Sequence, residues 1–403
     1  MSWELARRIA FTIGALLLFR LGTQIPIAGV DVSRLSALPN FNVRLSLFSL
    51  GLIPYLTAAI IIRLLSVVWR GLNSLERSGE RGRRKVARAT LGLTLGLAAF
   101  QAFGIASALT TIPQLVRNSD GWFVLMATAT MVGGVFVLVW LSEQITRYGI
   151  GNGLALILSV GILVSIPRDV AGIVELVRRG AISSNLVFVH AMLWVVTVAA
   201  VVLVEGARRN VRVQFGALSV GTRQLPVRDA VLPIKLNSAG FLIPVTVAPW
   251  IFFVPLALAG LVLGIDHPLV AAAYRHFQMG QPAHLILVSI AVFVLAFVYT
   301  AYVVDPEHTA KSLAAHGGGI AGVAPGEATA GYLDRVVSLT TVVGAVYLTV
   351  LQLIPEVFEL YGIGLPYSMV VDGGAALVVV CTALDIKAQV RDVSLTNPGG
   401  VRR

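Results

Sequence analysis

The chain is short of charge and nearly without cysteine. Only 13% of its 403 residues are Asp, Glu, Lys or Arg, where a soluble domain carries about 25%. With 57% hydrophobic residues, there is too little polar surface for a soluble globular protein. The single cysteine, Cys381, excludes an intrachain disulfide and a cysteine-based metal site. Few ionisable groups interrupt the apolar runs. Arg20 reads as mid-span, Arg63 as near one end of its span and Asp372 as near the outer end of the last, and no two acids pair. That argues against an ion-coupled carrier, which needs buried ion ligands. There is no HExxH and no Cys/His cluster, the six histidines are scattered, and no Ser/His/Asp set falls at membrane depth. These absences argue against an enzyme.

What is present is long apolar runs. A bilayer core takes about 20 apolar residues per helix. Ten runs qualify: 10–25, 45–68, 90–109, 122–141, 148–166, 186–204, 239–263, 285–304, 336–354 and 367–386. Each reads as a helix, because a spanning segment must satisfy its own backbone hydrogen bonds. The first run follows "MSWELARR" and lacks a small-residue cleavage site, so it reads as a retained helix. The fold class expected is therefore an all-α polytopic membrane protein with ten transmembrane helices. Gly92, Gly96 and the small residues from Ala127 to Gly134 are packing signals.

Charge sets the orientation. With the N-terminus inside, 22 of the 31 Lys and Arg fall in inner segments and seven in outer ones. That bias places both termini in the cytoplasm. It also accounts for most of the +11 net charge, although basic loops can still meet anionic membrane lipid or ribosomal RNA. Two inner loops are long, 205–236 and 305–335. In the first, "NVRVQF" alternates and reads as a strand, half of a hairpin. The second, with "AAHGGGIAGVAPGEATAG", reads as a flexible projection. The bland alternative is that both merely connect helices.

One polar stretch remains, "WLSEQITRYGIGNG", Trp140 to Gly153, between two apolar runs. Its three glycines lack the Lys-Ser/Thr of a phosphate-binding loop and follow no strand. With "LALIL" after it, the stretch resembles the signature of the SecY family, the central subunit of the protein-conducting channel. Further matches follow in order: "FRLGTQIPIAGVD", "SLGLIPYLTAAIIIRLL", "ERSGERGRRK", "LPIKLNSAGFLIP", "DPEHTAKSL" and "PGEATAGYLDR". Together they span nearly the whole chain.

The resemblance implies two pseudo-symmetric five-helix halves, 1–180 and 181–403, and a short turn at the glycines between spans four and five. It implies an apolar pore ring at Leu56, Ile60, Leu154, Leu158, Val379 and, in span seven, Thr246 or its neighbour Val247. Such a ring seals by dewetting and has no preferred partner; the same positions could equally be ordinary core. It implies a lateral gate with a polar pair at Gln101 and Asn237, and cytoplasmic docking through Arg223, Arg228, Lys311, Ala324 and Glu327. Implied partners are secretory and membrane polypeptide clients, small SecE-like and SecG-like subunits, and a motor ATPase or ribosome. No cofactor is implied. The implied location is the cytoplasmic membrane of a bacterium.

Three departures stand out. The segment 29–45 is short for the family's plug. Ala324 replaces the family's docking arginine. Span seven carries an extra residue and the polar Thr246. The expected function is a channel subunit that translocates secretory chains and inserts membrane helices. The alternative is a SecY-derived insertase or regulatory paralogue with little cross-membrane translocation.

Overall fold

The computed structural model describes residues 3–31, 45–112, 115–116, 121–215, 219–220, 223–224, 228–240, 255–256, 259–260, 262–264, 266–278, 280–361 and 373–396. The chain forms two compact units, Met1–Val164 with Cys381–Arg403, and Ser165–Val380.

The first unit holds α1 (Trp3–Gly22), α2 (Ile53–Val68), α3 (Arg70–Arg77), α4 (Glu80–Thr110), α5 (Gly121–Tyr148) and the start of α6 (Gly153–Arg178). The end of α12 (Gly373–Thr396) completes it. α5 packs on α4, and α4 on α2. The buried stripe of α4 is Thr90, Thr94, Ala98, Ala102 and Ala106. Its spacing of four and its small side chains give close helix approach. On α5 the stripe is Phe123, Ala127, Met131, Gly134, Leu138 and Ile145. A Cβ at Gly134 would fall on the Leu47 carbonyl oxygen, so only glycine fits there.

The second unit holds the rest of α6, α7 (Ser184–Gly206), β1 (Arg208–Phe215), β2 (Ser219–Val220), β3 (Arg223–Gln224) and β4 (Arg228–Lys235). It continues through α8 (Pro268–Phe277), α9 (Pro282–Val303), α10 (Pro306–Ala315), β5 (Gly318–Ile320), α11 (Glu327–Leu360) and the start of α12. α9 packs along α11.

Seven helical stretches among the described residues are long and apolar enough to cross a membrane, and α2 is a shorter apolar helix. Most of the seventh run, 239–263, and the start of the tenth lie outside the described residues, as does Asp372. The first helix corrects the sequence reading. It begins at Trp3 and ends at Gly22, so Arg20 sits in its last turn rather than mid-span. There the cation faces the negative end of the helix dipole and donates to Thr23 Oγ1 at 3.3 Å.

"NVRVQF" is a strand, with Val211 and Val213 buried between exposed neighbours. β1 pairs antiparallel with β4 from Arg208↔Lys235 to Phe215↔Arg228. Its other edge takes β5, from Val213↔Ile320 to Phe215↔Gly318. The sheet order is thus β4-β1-β5, with β1 in the centre. Val211, Ile234, Ala310, Ile320, Leu333 and Val337 form one apolar core beneath it.

The second long loop is therefore not a flexible projection. Pro306 opens α10, whose N-cap Asp305 accepts from the His308 N–H at 2.9 Å. Gly317 ends that helix at φ +70°, where a side chain would be strained. A Cβ at Gly318 would meet the Phe215 ring at 2.7 Å. These glycines serve turn geometry and close strand contact, which composition alone reads as flexibility.

Candidate functional site

The glycine turn joins α5 to α6 inside the first unit. A Cβ at Gly149 would fall on Thr12 Oγ1, and one at Gly153 on the Ser142 carbonyl oxygen. Gly151 has φ +84°, with Leu156 and Ile386 against it. The backbone N–H groups of this turn are held by side chains from three helices. Ile150 N–H donates to Thr12 Oγ1 at 2.9 Å, Gly151 N–H to Gln389 Oε1 at 2.8 Å and Gly153 N–H to Thr146 Oγ1 at 2.9 Å. Asn152 Oδ1 accepts from the Leu154 N–H at 3.0 Å and caps α6. The sequence showed the glycines but not Thr12 or Gln389, which lie far away along the chain.

Thr12 accepts from Ile150 and donates to the Arg8 carbonyl at 2.9 Å. Thr12→Val would strand the buried Ile150 N–H. We expect it to lower stability by about 1–3 kcal/mol in thermal unfolding, while Thr12→Ser keeps most of it.

α6 is tied to α12 as well. Ser159 Oγ donates to Thr382 Oγ1 at 2.8 Å, both hydroxyls buried. Thr382 Oγ1 donates in turn to the Ala155 carbonyl at 3.4 Å. Leu154 and Leu158, one turn apart on α6, are half-buried beside this seam. Val379, also half-buried, stands three residues before Thr382 on α12. Leu56 and Ile60 lie one turn apart on α2 and are 4% and 2% exposed. Thr246 and Val247 lie outside the described residues, as do 32–44 of the short plug segment.

Gln101 is half-buried on α4. Asn237 is buried just after β4, and its amide nitrogen donates to Glu205 Oε1 at 2.7 Å. Its Oδ1 is buried without a hydrogen-bond partner among the described residues. Gly344 of α11 closes this corner; a Cβ there would stand 3.1 Å from the Leu236 carbonyl oxygen and 3.3 Å from Asn237 Cα. Glu205 is a residue the sequence reading missed.

Of the five residues expected to dock cytoplasmic partners, only Arg228 lies in the three-stranded sheet, and Arg223 lies in the separate β2–β3 pair. Arg228 opens β4 opposite Phe215, and Arg223 pairs with Val220 in the β2–β3 ladder. Lys311 is 80% exposed on α10, 3.9 Å from Glu307. Ala324 is exposed and its carbonyl accepts from Thr329 Oγ1 at 2.9 Å. Glu327 is the first residue of α11, where a carboxylate suits the helix dipole.

A second buried polar pair was also missed. His284 Nδ1 of α9 lies 2.7 Å from Glu356 Oε2 of α11, with side chains 6% and 2% exposed. Each partner falls one or two residues outside its apolar run, so neither read as intramembrane.

The architecture is that of a polytopic helical channel. A solved structure concerned with the plug domain of the SecY protein matches with TM-score 0.70 at 19% identity, covering 100% of this chain and 96% of that one. A structure described as a protein-conducting channel matches with TM-score 0.66 at 18% identity, over the same shares. Closer in sequence is the protein translocase subunit SecY of Escherichia coli (strain K12). It is 36% identical over 414 residues, covering 98% of this chain and 93% of that protein. The corresponding subunit of Vibrio cholerae is 34% identical over 420 residues, 96% and 91%. The SecY family model matches residues 46–387. The chain belongs to the SecY family.

Proposed function

We propose that the chain is a non-enzymatic protein-conducting channel subunit, passing secretory polypeptides across the membrane and releasing apolar helices into it. The observation that carries this reading is the extent of the likeness. The family match runs from Ser46 to Lys387 and contains every ring, gate and docking position. Leu56, Ile60, Leu154, Leu158, Thr246 and Val379 form the pore ring. The burial of Leu56 and Ile60 on one face of α2 supports their part in it. Gln101 and Asn237 carry the gate's polar latch. Arg223, Arg228, Lys311, Ala324 and Glu327 mark the cytoplasmic docking face, and the sheet shared by both loops supports a single platform there.

The two functional halves are 1–180 and 181–403. The channel sits in the cytoplasmic membrane of a bacterium with both termini inside. Small single-span SecE-like and SecG-like subunits accompany it, and a motor ATPase or ribosome drives it. A homologous channel, Sec61, has been solved in a canine ribosome–channel complex. One observation favours a second reading, an insertase with little translocation. Ala324 offers an exposed docking position that cannot form a charge-assisted hydrogen bond.

A photo-crosslinker at Ile60 in living cells separates these readings, with one at exposed Arg179 as control. Captured secreted and membrane chains support the channel. Membrane segments alone support the insertase. No nascent chain at Ile60 contradicts the ring.

A further inference from the structure

Glu205 breaks a local rule. It sits in the last turn of α7, where the helix dipole disfavours a carboxylate. Such exceptions are expected where function overrides local stability. Here the acid meets the Asn237 amide nitrogen at 2.7 Å.

An asparagine amide is two-faced, with two donor hydrogens on one side and an acceptor oxygen on the other. The Glu205 carboxylate oxygen accepts from the Asn237 NH2 group. Placed beside Asn237, it holds the NH2 group toward itself and turns Oδ1 the other way. That oxygen is buried and unpartnered among the described residues. A lone buried acceptor is costly to leave unmade. The carboxylate thus decides what Asn237 shows to a gate partner: an acceptor, ready for an amide donor.

The same contact closes the base of the docking hairpin. The β1–β4 ladder ends at Arg208↔Lys235. It is extended by the Leu236 N–H donating to the Ala207 carbonyl at 3.2 Å, and then by Glu205 with Asn237. Asn237 is therefore held by the last rung of a ladder whose far end is Phe215↔Arg228.

We propose that Glu205 is the positioning residue of the lateral gate. It fixes the orientation of the Asn237 amide and joins that amide to the cytoplasmic hairpin. This rests on the proposed gate role of Asn237.

The test uses membrane vesicles containing the full channel complex and a reporter segment of graded hydrophobicity. The readout is the hydrophobicity at which half of the segment enters lipid. Asn237→Leu and Glu205→Ala should each shift the insertion equilibrium about fivefold, the size of one polar contact between membrane helices. The double variant should shift it no further. Glu205→Gln can accept or donate, so Asn237 gains its second orientation; it should give a smaller shift in the same direction with thermal stability unchanged. Glu175→Gln, an exposed acid on α6, is the control. If Asn237→Leu shifts insertion and neither Glu205 variant does, the positioning role is wrong and the gate reading stands. Additive shifts would also overturn it, since Glu205 would then act elsewhere. If Asn237→Leu shifts nothing, the gate reading fails and this inference with it.

Discussion

Glu356→Ala is expected to cost about 3–5 kcal/mol of stability, because it leaves His284 buried without its partner. The two side chains come from positions 72 residues apart, and the Nδ1–Oε2 distance is 2.7 Å. Both are almost fully buried, so water cannot replace the lost contact. The contact is a hydrogen bond that satisfies both buried groups. Removing either side strands the other at the seam where α9 packs along α11. Replacing both by leucine removes the desolvation cost along with the contact and should recover most of the loss. Thermal unfolding of the purified complex checks this. A loss below about 1 kcal/mol in the single variant would mean that the pair is wet, as exposed pairs are.

Gly153→Ala is the second large effect. Its Cβ would fall on the Ser142 carbonyl oxygen and within 2.8 Å of Ile145 Cβ. Backbone cannot rotate aside as a side chain can, so the turn between α5 and α6 must open. The expected cost is about 1–3 kcal/mol, as for other overpacked sites. Gly161 lies on the same helix with nothing within 4 Å of its would-be Cβ. Gly161→Ala should therefore gain about 0.5–1 kcal/mol from helix propensity. The pair separates a steric turn from ordinary helix glycine. Because α6 carries Leu154 and Leu158, Gly153→Ala should also raise resting ion leak through vesicles holding the complex, while Gly161→Ala should not. Equal stabilities for the two variants would contradict the steric account.

Much of the fold was legible because a bilayer forces its helices to be apolar over a fixed length. The runs at 122–141 and 186–204 fall inside α5 and α7 for that reason. The strand at Val211 and Val213 was legible because one buried face imposes a period of two. The family motifs located the glycine turn, and its steric reasons are visible only in three dimensions. Helix ends were less legible. α1 stops at Gly22, although the first apolar run reads on to Ile25. Glu205, His284 and Glu356 gave no pattern, since a pair made across 32 or 72 residues leaves no period in the sequence; Asn237 was named only through the family motif. The second loop misled because glycine signals both mobility and tight geometry, and at Gly317 and Gly318 it is geometry.

The central position of β1 has a consequence for biogenesis. Its two edges are completed by strands from different loops, β4 at Arg228–Lys235 and β5 at Gly318–Ile320. The first partner leaves the ribosome almost at once. The second follows after roughly 80 further residues, which at about 5–20 residues per second takes on the order of 4–16 s. During that interval α9 is being laid down while the strand carrying Val213 and Phe215 keeps an open edge. An open edge is a template for any extended chain nearby. The sheet that joins the two loops in the finished molecule is thus, during its own synthesis, the part that most needs shielding from other extended chains.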